Sequence, residues 1–183
     1  MRALLAVPFL LFGSGVLADS FDINLSDDSI HAVYGRTFGA GEVTAGAFYV
    51  DKGNDDPWAV HLGLLVSGEP RSTASRSEAG LGARLYFASA GSNDAAALAL
   101  GGQFRWFPGD GPVGVGAYGY VAPDIVTGLD AKRLWEAGAR VELEAVRGTA
   151  HVYLGYRRLE LRLDNGTDVT VDKGGHVGVR IAF

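Results

Sequence analysis

Ser29 and His31 stand two residues apart, with Asp27 and Asp28 just before them. On a β-strand that spacing puts both side chains on one face. A serine nucleophile needs a base and an acid in fixed geometry, so this is the chain's best candidate for hydrolytic chemistry. No Gly-x-Ser-x-Gly elbow, phosphate loop or dinucleotide fingerprint accompanies it. The histidines His31, His61, His151 and His176 fall on separate segments and form no His-Glu-x-x-His spacing. The expectation is a protein that is not an enzyme and uses no metal or other cofactor.

A larger set of reactive side chains lies in one phase of alternating segments: Glu78, Arg84, Arg105, Glu136, Arg140, Glu142, Glu144, His176 and Arg180. Turned inward, carboxylates and guanidiniums of mixed sign pair across a narrow lumen, which offsets the cost of burying charge. The functional alternative is a narrow polar path whose charges select or exclude small solutes. Acidic residues gather between the segments, at Asp27, Asp28, Asp51, Asp55, Asp56, Asp164 and Asp168. Clustered carboxylates suit hard cations, but no loop carries calcium-hand spacing. They read first as solvated loop charge, with a weak cation contact to lipopolysaccharide as the alternative.

The elements that must position these residues are strands. Trp135 to Val146 sends Trp135, Ala137, Ala139, Val141, Leu143 and Ala145 to one face and Glu136, Arg140, Glu142 and Glu144 to the other. Glu78 to Phe87, Ala97 to Trp106 and Trp58 to Val66 alternate in the same way. Val43 to Val50 and Val113 to Val121 are apolar on both faces. Phe21, Ile23 and Leu25 form a short first strand, and Ile30 to Phe38 a second. In Ala150 to Leu163 the apolar phase slips at Arg157-Arg158, which predicts a bulge there.

Turn chemistry separates the segments, as in Gly39-Ala40-Gly41, Pro108-Gly109-Asp110-Gly111-Pro112, Arg147-Gly148 and Asp164-Asn165-Gly166. The count is ten strands, or eight if the first pair stays outside the wall. Even numbers put both termini on the periplasmic side of a bacterial barrel. Loops at 51–57, 88–94 and 122–131 then lie outside, and Ser67 to Ser77 is an unusually long periplasmic turn. Phe38, Trp106, Phe107 and Phe183 would mark one membrane interface, and Tyr49, Trp58, Phe87, Tyr120 and Trp135 the other.

Residues 1–18 read as a cleaved signal peptide: Arg2, an apolar run from Ala3 to Phe12, a Gly13-Ser14-Gly15 break and small residues before Asp19. Residues 19–183 then form one domain. The chain has no cysteine, which excludes disulfides, thiol catalysis and an acylated N-terminal cysteine. Its net charge of −5 leaves no basic stripe for nucleic acid.

The last strand carries Val169, Val171, Val177, Val179, Ile181 and the terminal Phe183 on one face, with Thr170, Asp172, His176 and Arg180 between them. A terminal aromatic behind a signal peptide suits a barrel-insertion signal read by the barrel-assembly machinery. The start Ser20-Phe21-Asp22-Ile23-Asn24-Leu25-Ser26-Asp27-Asp28-Ser29, leading into Tyr34-Gly35, and the end Val179-Arg180-Ile181-Ala182-Phe183 resemble the YfaZ family of small bacterial outer-membrane proteins. The resemblance spans the whole precursor. It implies a β-barrel in the outer membrane of a Gram-negative bacterium and brings no catalytic residues.

The expected fold is therefore all-β: a transmembrane, antiparallel, up-and-down barrel surrounded by outer-membrane lipid and lipopolysaccharide. The expected role is non-enzymatic, either envelope-structural or narrowly porin-like. An outer-membrane hydrolase using Ser29 and His31, and a soluble periplasmic ligand-binding barrel, are the alternatives. Alternation alone does not separate the last from a membrane barrel, because the apolar face points inward in one and outward in the other.

Overall fold

A computed structural model describes residues 18–51, 56–69, 75–109 and 111–183. The expected signal peptide lies outside them except for Ala18, as do Asp55 and most of the turn before Ser75. Eleven strands follow one another: β1 (Asp19–Leu25), β2 (Ser29–Phe38), β3 (Gly41–Val50), β4 (Trp58–Gly68), β5 (Ser75–Ala90), β6 (Asn93–Pro108), β7 (Val113–Ala122), β8 (Thr127–Leu129), β9 (Ala131–Val146), β10 (Ala150–Leu163) and β11 (Asp168–Ala182). Ten of them close into an antiparallel barrel. Each wall strand pairs with its neighbour along the chain, β7 pairs with β9, and β1 closes the ring against β11 from Ser20↔Ala182 to Leu25↔Val177. The short β8 lies outside the ring and folds back onto β6 at Ala95–Ala97.

The apolar phase of the wall faces out. Leu62, Val66, Leu81, Leu100, Val141, Leu154 and Val177 are all more than half exposed. The polar phase faces in, where Glu136, Glu142, Arg157 and Asp172 are almost wholly buried. This inside-out distribution is that of a transmembrane barrel, and it decides against the soluble binding barrel. Among the described residues no helix is long and apolar enough to cross a membrane. The wall itself supplies the spans, since about 9–11 tilted residues suffice for a strand to cross.

Several expectations are corrected in detail. Residues 88–94 are not a loop: β5 and β6 run on to Ala90 and Asn93 and turn through Gly91, whose φ is 64°. Phe107 and Tyr120 are not interface aromatics; both point inward, at 6% and 2% exposure. Phe38, Tyr49, Trp58, Phe87, Trp106 and Phe183 do lie on the outside.

The bulge is also displaced. β10 alternates without interruption through Arg157 and Arg158. The register shift lies at Leu159/Glu160, where Val171 of β11 is the extra residue between Thr170 and Asp172. Asp172 keeps the inward phase of His176 and Arg180, and the bulge brings Val171 inward beside it, out of the lipid-facing row in which its spacing had placed it. The apolar run of β10 changes face because the interior changes character there. Below it is charged. Above, Leu159, Leu161 and Val171 pack with Phe48, Tyr86, Tyr120 and Leu134 in an apolar cluster at the end away from Asp19 and Phe183.

Candidate functional site

The interior is the chemically distinctive part of the molecule. Strand alternation carries the charged side chains of β5, β6, β9, β10 and β11 into it, and glycines make the room. A Cβ on Gly178 would stand 2.3 Å from the Tyr153 ring, so only glycine lets that ring lie flat against the wall.

All nine residues singled out in the sequence, Glu78, Arg84, Arg105, Glu136, Arg140, Glu142, Glu144, His176 and Arg180, occupy inward positions of their strands. They fall into linked clusters. Near the end that holds Asp19 and Phe183, Arg76 meets Glu144 at 2.7 Å and Arg180 meets Glu42 at 3.6 Å. One level higher Arg105 bridges Glu142 at 2.6 Å and Glu78 at 3.3 Å. Arg140 joins the same Glu142 at 2.8 Å and reaches across the barrel to Asp22 at 3.3 Å. The Tyr153 hydroxyl donates to Asp22, and Asn24 donates to the Tyr153 oxygen at 3.1 Å.

Above these lie two further enclosed carboxylates. Glu136 accepts from Arg84 at 3.1 Å, from the Tyr118 hydroxyl at 2.9 Å and from the Tyr86 hydroxyl. Asp172 accepts from Arg157 at 2.6 Å. Arg157 also donates to the Asn24 carbonyl at 2.7 Å, and its guanidinium carbon stands 4.8 Å from the Phe48 ring centre. Every interior cation named here therefore has a carboxylate within ion-pair distance.

Sequence reasoning missed Asp22, Asn24, Glu42, Arg157 and the tyrosines. Their signal was present: Asp22 and Asn24 alternate with Phe21, Ile23 and Leu25. What it lacked was the pairing of distant strands, as between Asp22 and Arg140.

Ser29 and His31 do share the inward face, both largely buried. The surroundings are wrong for nucleophilic catalysis. A serine base needs a carboxylate on its far nitrogen. His31 Nδ1 instead faces the Arg157 guanidinium at 3.2 Å and the Asn24 amide at 3.3 Å, and its ring stacks on Phe48 at 3.6 Å. His31 Nε2 lies 3.4 Å from His61 Nε2. Among the described residues no group of three or more histidines and carboxylates is arranged to hold a metal ion.

Between the clusters a cavity of about 90 Å³ remains, edged by Asn24, Arg84, Gln103, Arg140, Tyr153 and Arg180. It has room for a few ordered waters. The buried apolar cluster lies above it.

A closed ring, a polar filled interior and an apolar outer belt define a β-barrel of the outer-membrane class. The chain matches the family described as "YfaZ precursor" over residues 10–183 and belongs to the YfaZ family. Among solved structures, Neisserial surface protein A (NspA), known from a crystal structure, is similar at 13% identity and a TM-score of 0.37. The match covers 91% of this chain and 94% of that one. No curated protein matches the chain.

Proposed function

We infer that the protein is a non-conducting, envelope-structural component of the outer membrane of a Gram-negative bacterium. The observation that carries this reading is the filled lumen: paired charges through its lower part and an apolar cluster under the loops. A selective pathway needs unpaired field-setting charges along a continuous wet path. Here eight of the nine lumen residues stand in ion pairs, Glu144 with Arg76 and Arg180 with Glu42 among them, that tie the wall strands together. The guanidiniums cross-link β5, β6, β9, β10 and β11 from within, while lipid covers the outside. Phe183, with its main chain paired to Asp19 at 2.7 Å, acts in this reading as the insertion signal for the assembly machinery.

The hydrolase alternative loses support from the cationic partner of His31. Fractionated membranes test the proposal. The protein should sediment with the outer membrane, migrate differently before and after boiling, and leave sugar entry into reconstituted liposomes at the rate of empty ones. Recovery in the soluble periplasm, or accelerated sugar entry, would contradict it.

A further inference from the structure

The outward face of the barrel changes character at the loop end of β9, β10 and β11. The register sets three residues side by side in successive rows. Arg133, Arg162 and Asp168 form the upper row, Trp135, Glu160 and Thr170 the next, and Ala137, Arg158 and Lys173 the third. Immediately below come Ala139, Tyr156 and Gly175, then Val141, Leu154 and Val177, which belong to the lipid-facing belt. The charged rows thus sit directly on the apolar belt, at the level of headgroups.

Four cations in these rows face two carboxylates, on a chain whose net charge is −5. Glu160 is held by Arg158 and by Thr170 at 3.4 Å. Asp168 meets Arg162 only at 3.8 Å, with both side chains more than half exposed, where water and salt screen the pair. Among the described residues Arg133 and Lys173 have no carboxylate at ion-pair distance. Asp130 and Asp164 lie higher, in the loops, where their backbones bond at 2.9 Å.

Like charges are also set directly opposite one another twice, Arg133 against Arg162 and Arg158 against Lys173. Such cross-strand neighbours stand about 4.5–5.5 Å apart at Cβ and repel. An anion between them turns the repulsion into attraction, and the guanidinium fork matches the oxygens of a phosphate. Trp135, with the Arg158 guanidinium 5.4 Å from its ring centre, gives the patch the amphipathic aromatic expected at a membrane interface.

We propose that this face binds the phosphate groups of an anionic membrane lipid, with Arg133, Arg162 and Lys173 as donors and the belt below them receiving the acyl chains. The continuity of charged rows with apolar rows favours a lipid over free phosphate. The proposal rests on the membrane reading above.

The test uses the folded, mature barrel in detergent, titrated with diphosphorylated lipid A, with the dephosphorylated lipid, and with inorganic phosphate. The wild type should bind the diphosphorylated lipid at least tenfold more tightly than either other probe. R133Q/R162Q should lose at least tenfold, while R36Q, an outward cation at the opposite end paired with Asp19 at 3.7 Å, should lose nothing. Equal binding of the two lipids, equal binding of wild type and R133Q/R162Q, or inorganic phosphate matching the lipid would overturn the proposal. Should the double variant fail to fold, K173Q is read in the same way. A wild type that shifts on boiling but binds no phosphorylated lipid sinks this site and leaves the barrel standing. One that does not shift sinks both.

Discussion

Arg157 and Asp172 form the most deeply enclosed ion pair described in the barrel, at 2.6 Å with 2% of each side chain exposed. They lie where the charged lumen gives way to the apolar cluster, next to the bulge that brings Val171 inward beside Asp172. Removing one partner of such a pair strands the other in a poorly solvated site. Asp172→Asn or Arg157→Met is expected to cost about 3–5 kcal/mol. Replacing both together by apolar residues is expected to cost less than either alone. Urea unfolding in lipid vesicles, followed by tryptophan fluorescence, measures all three.

Glu136 gathers Arg84, Tyr86 and Tyr118 around one carboxylate with no exposed side-chain surface. Tyr118→Phe removes one donor and should cost about 1.5–3 kcal/mol, the range for a hydrogen bond to a charged group. Glu136→Ala, which leaves three groups without their acceptor, should cost more. The two changes are expected to be non-additive in a double-mutant cycle, because they share one contact. Additive losses would show that Tyr118 acts through packing rather than through Glu136.

Gly101 tests the closeness of the wall. A Cβ there would stand 2.0 Å from the carbonyl oxygen of Gly119 on the neighbouring strand, and backbone has no room to yield. Gly101→Ala is expected to abolish the boiling-dependent gel shift. Gly128→Ala, in β8 with nothing within 4 Å, should keep it. A normal shift in Gly101→Ala would mean that β6 and β7 do not approach as described.

The lipid-facing belt gives a fourth expectation. Leu154 is 68% exposed in the middle of the apolar rows of β10. Leu154→Arg should destabilise the vesicle-embedded barrel by about 2–4 kcal/mol, the cost of an arginine near the bilayer midplane. On a water-facing surface the same change would cost almost nothing, so unfolding of this variant separates the two environments.

The period-two pattern was enough to locate the wall strands. Trp135 to Val146 and Trp58 to Val66 sort inside from outside with no further information. Three features were not legible, each for a physical reason. The apolar residues of β10 change face with no bulge in β10 itself, because the interior turns from charged to apolar at the level of Leu159. That is a property of ten strands together. Phe107 and Tyr120 are chemically as suited to an interface as to a cation–π site, and only their strand phase decides. Tyr120 ends with the Arg84 guanidinium 4.0 Å from its ring centre. The pairing of Asp22 with Arg140 depends on closure of β1 against β11, which separates partners by 118 positions in sequence.

Ionic conductance tests the filled lumen most directly, because small ions are the least demanding solutes. Barrel verified by its gel shift should be placed in a planar bilayer under applied voltage, beside a variant that shortens the plug, Phe48→Ala/Leu159→Ala. The wild type should give no unitary current steps, and the shortened plug should give brief ones. Stable, voltage-independent openings in the wild type would contradict a closed barrel and return Arg84, Arg105, Arg140 and Arg180 to the role of pore lining.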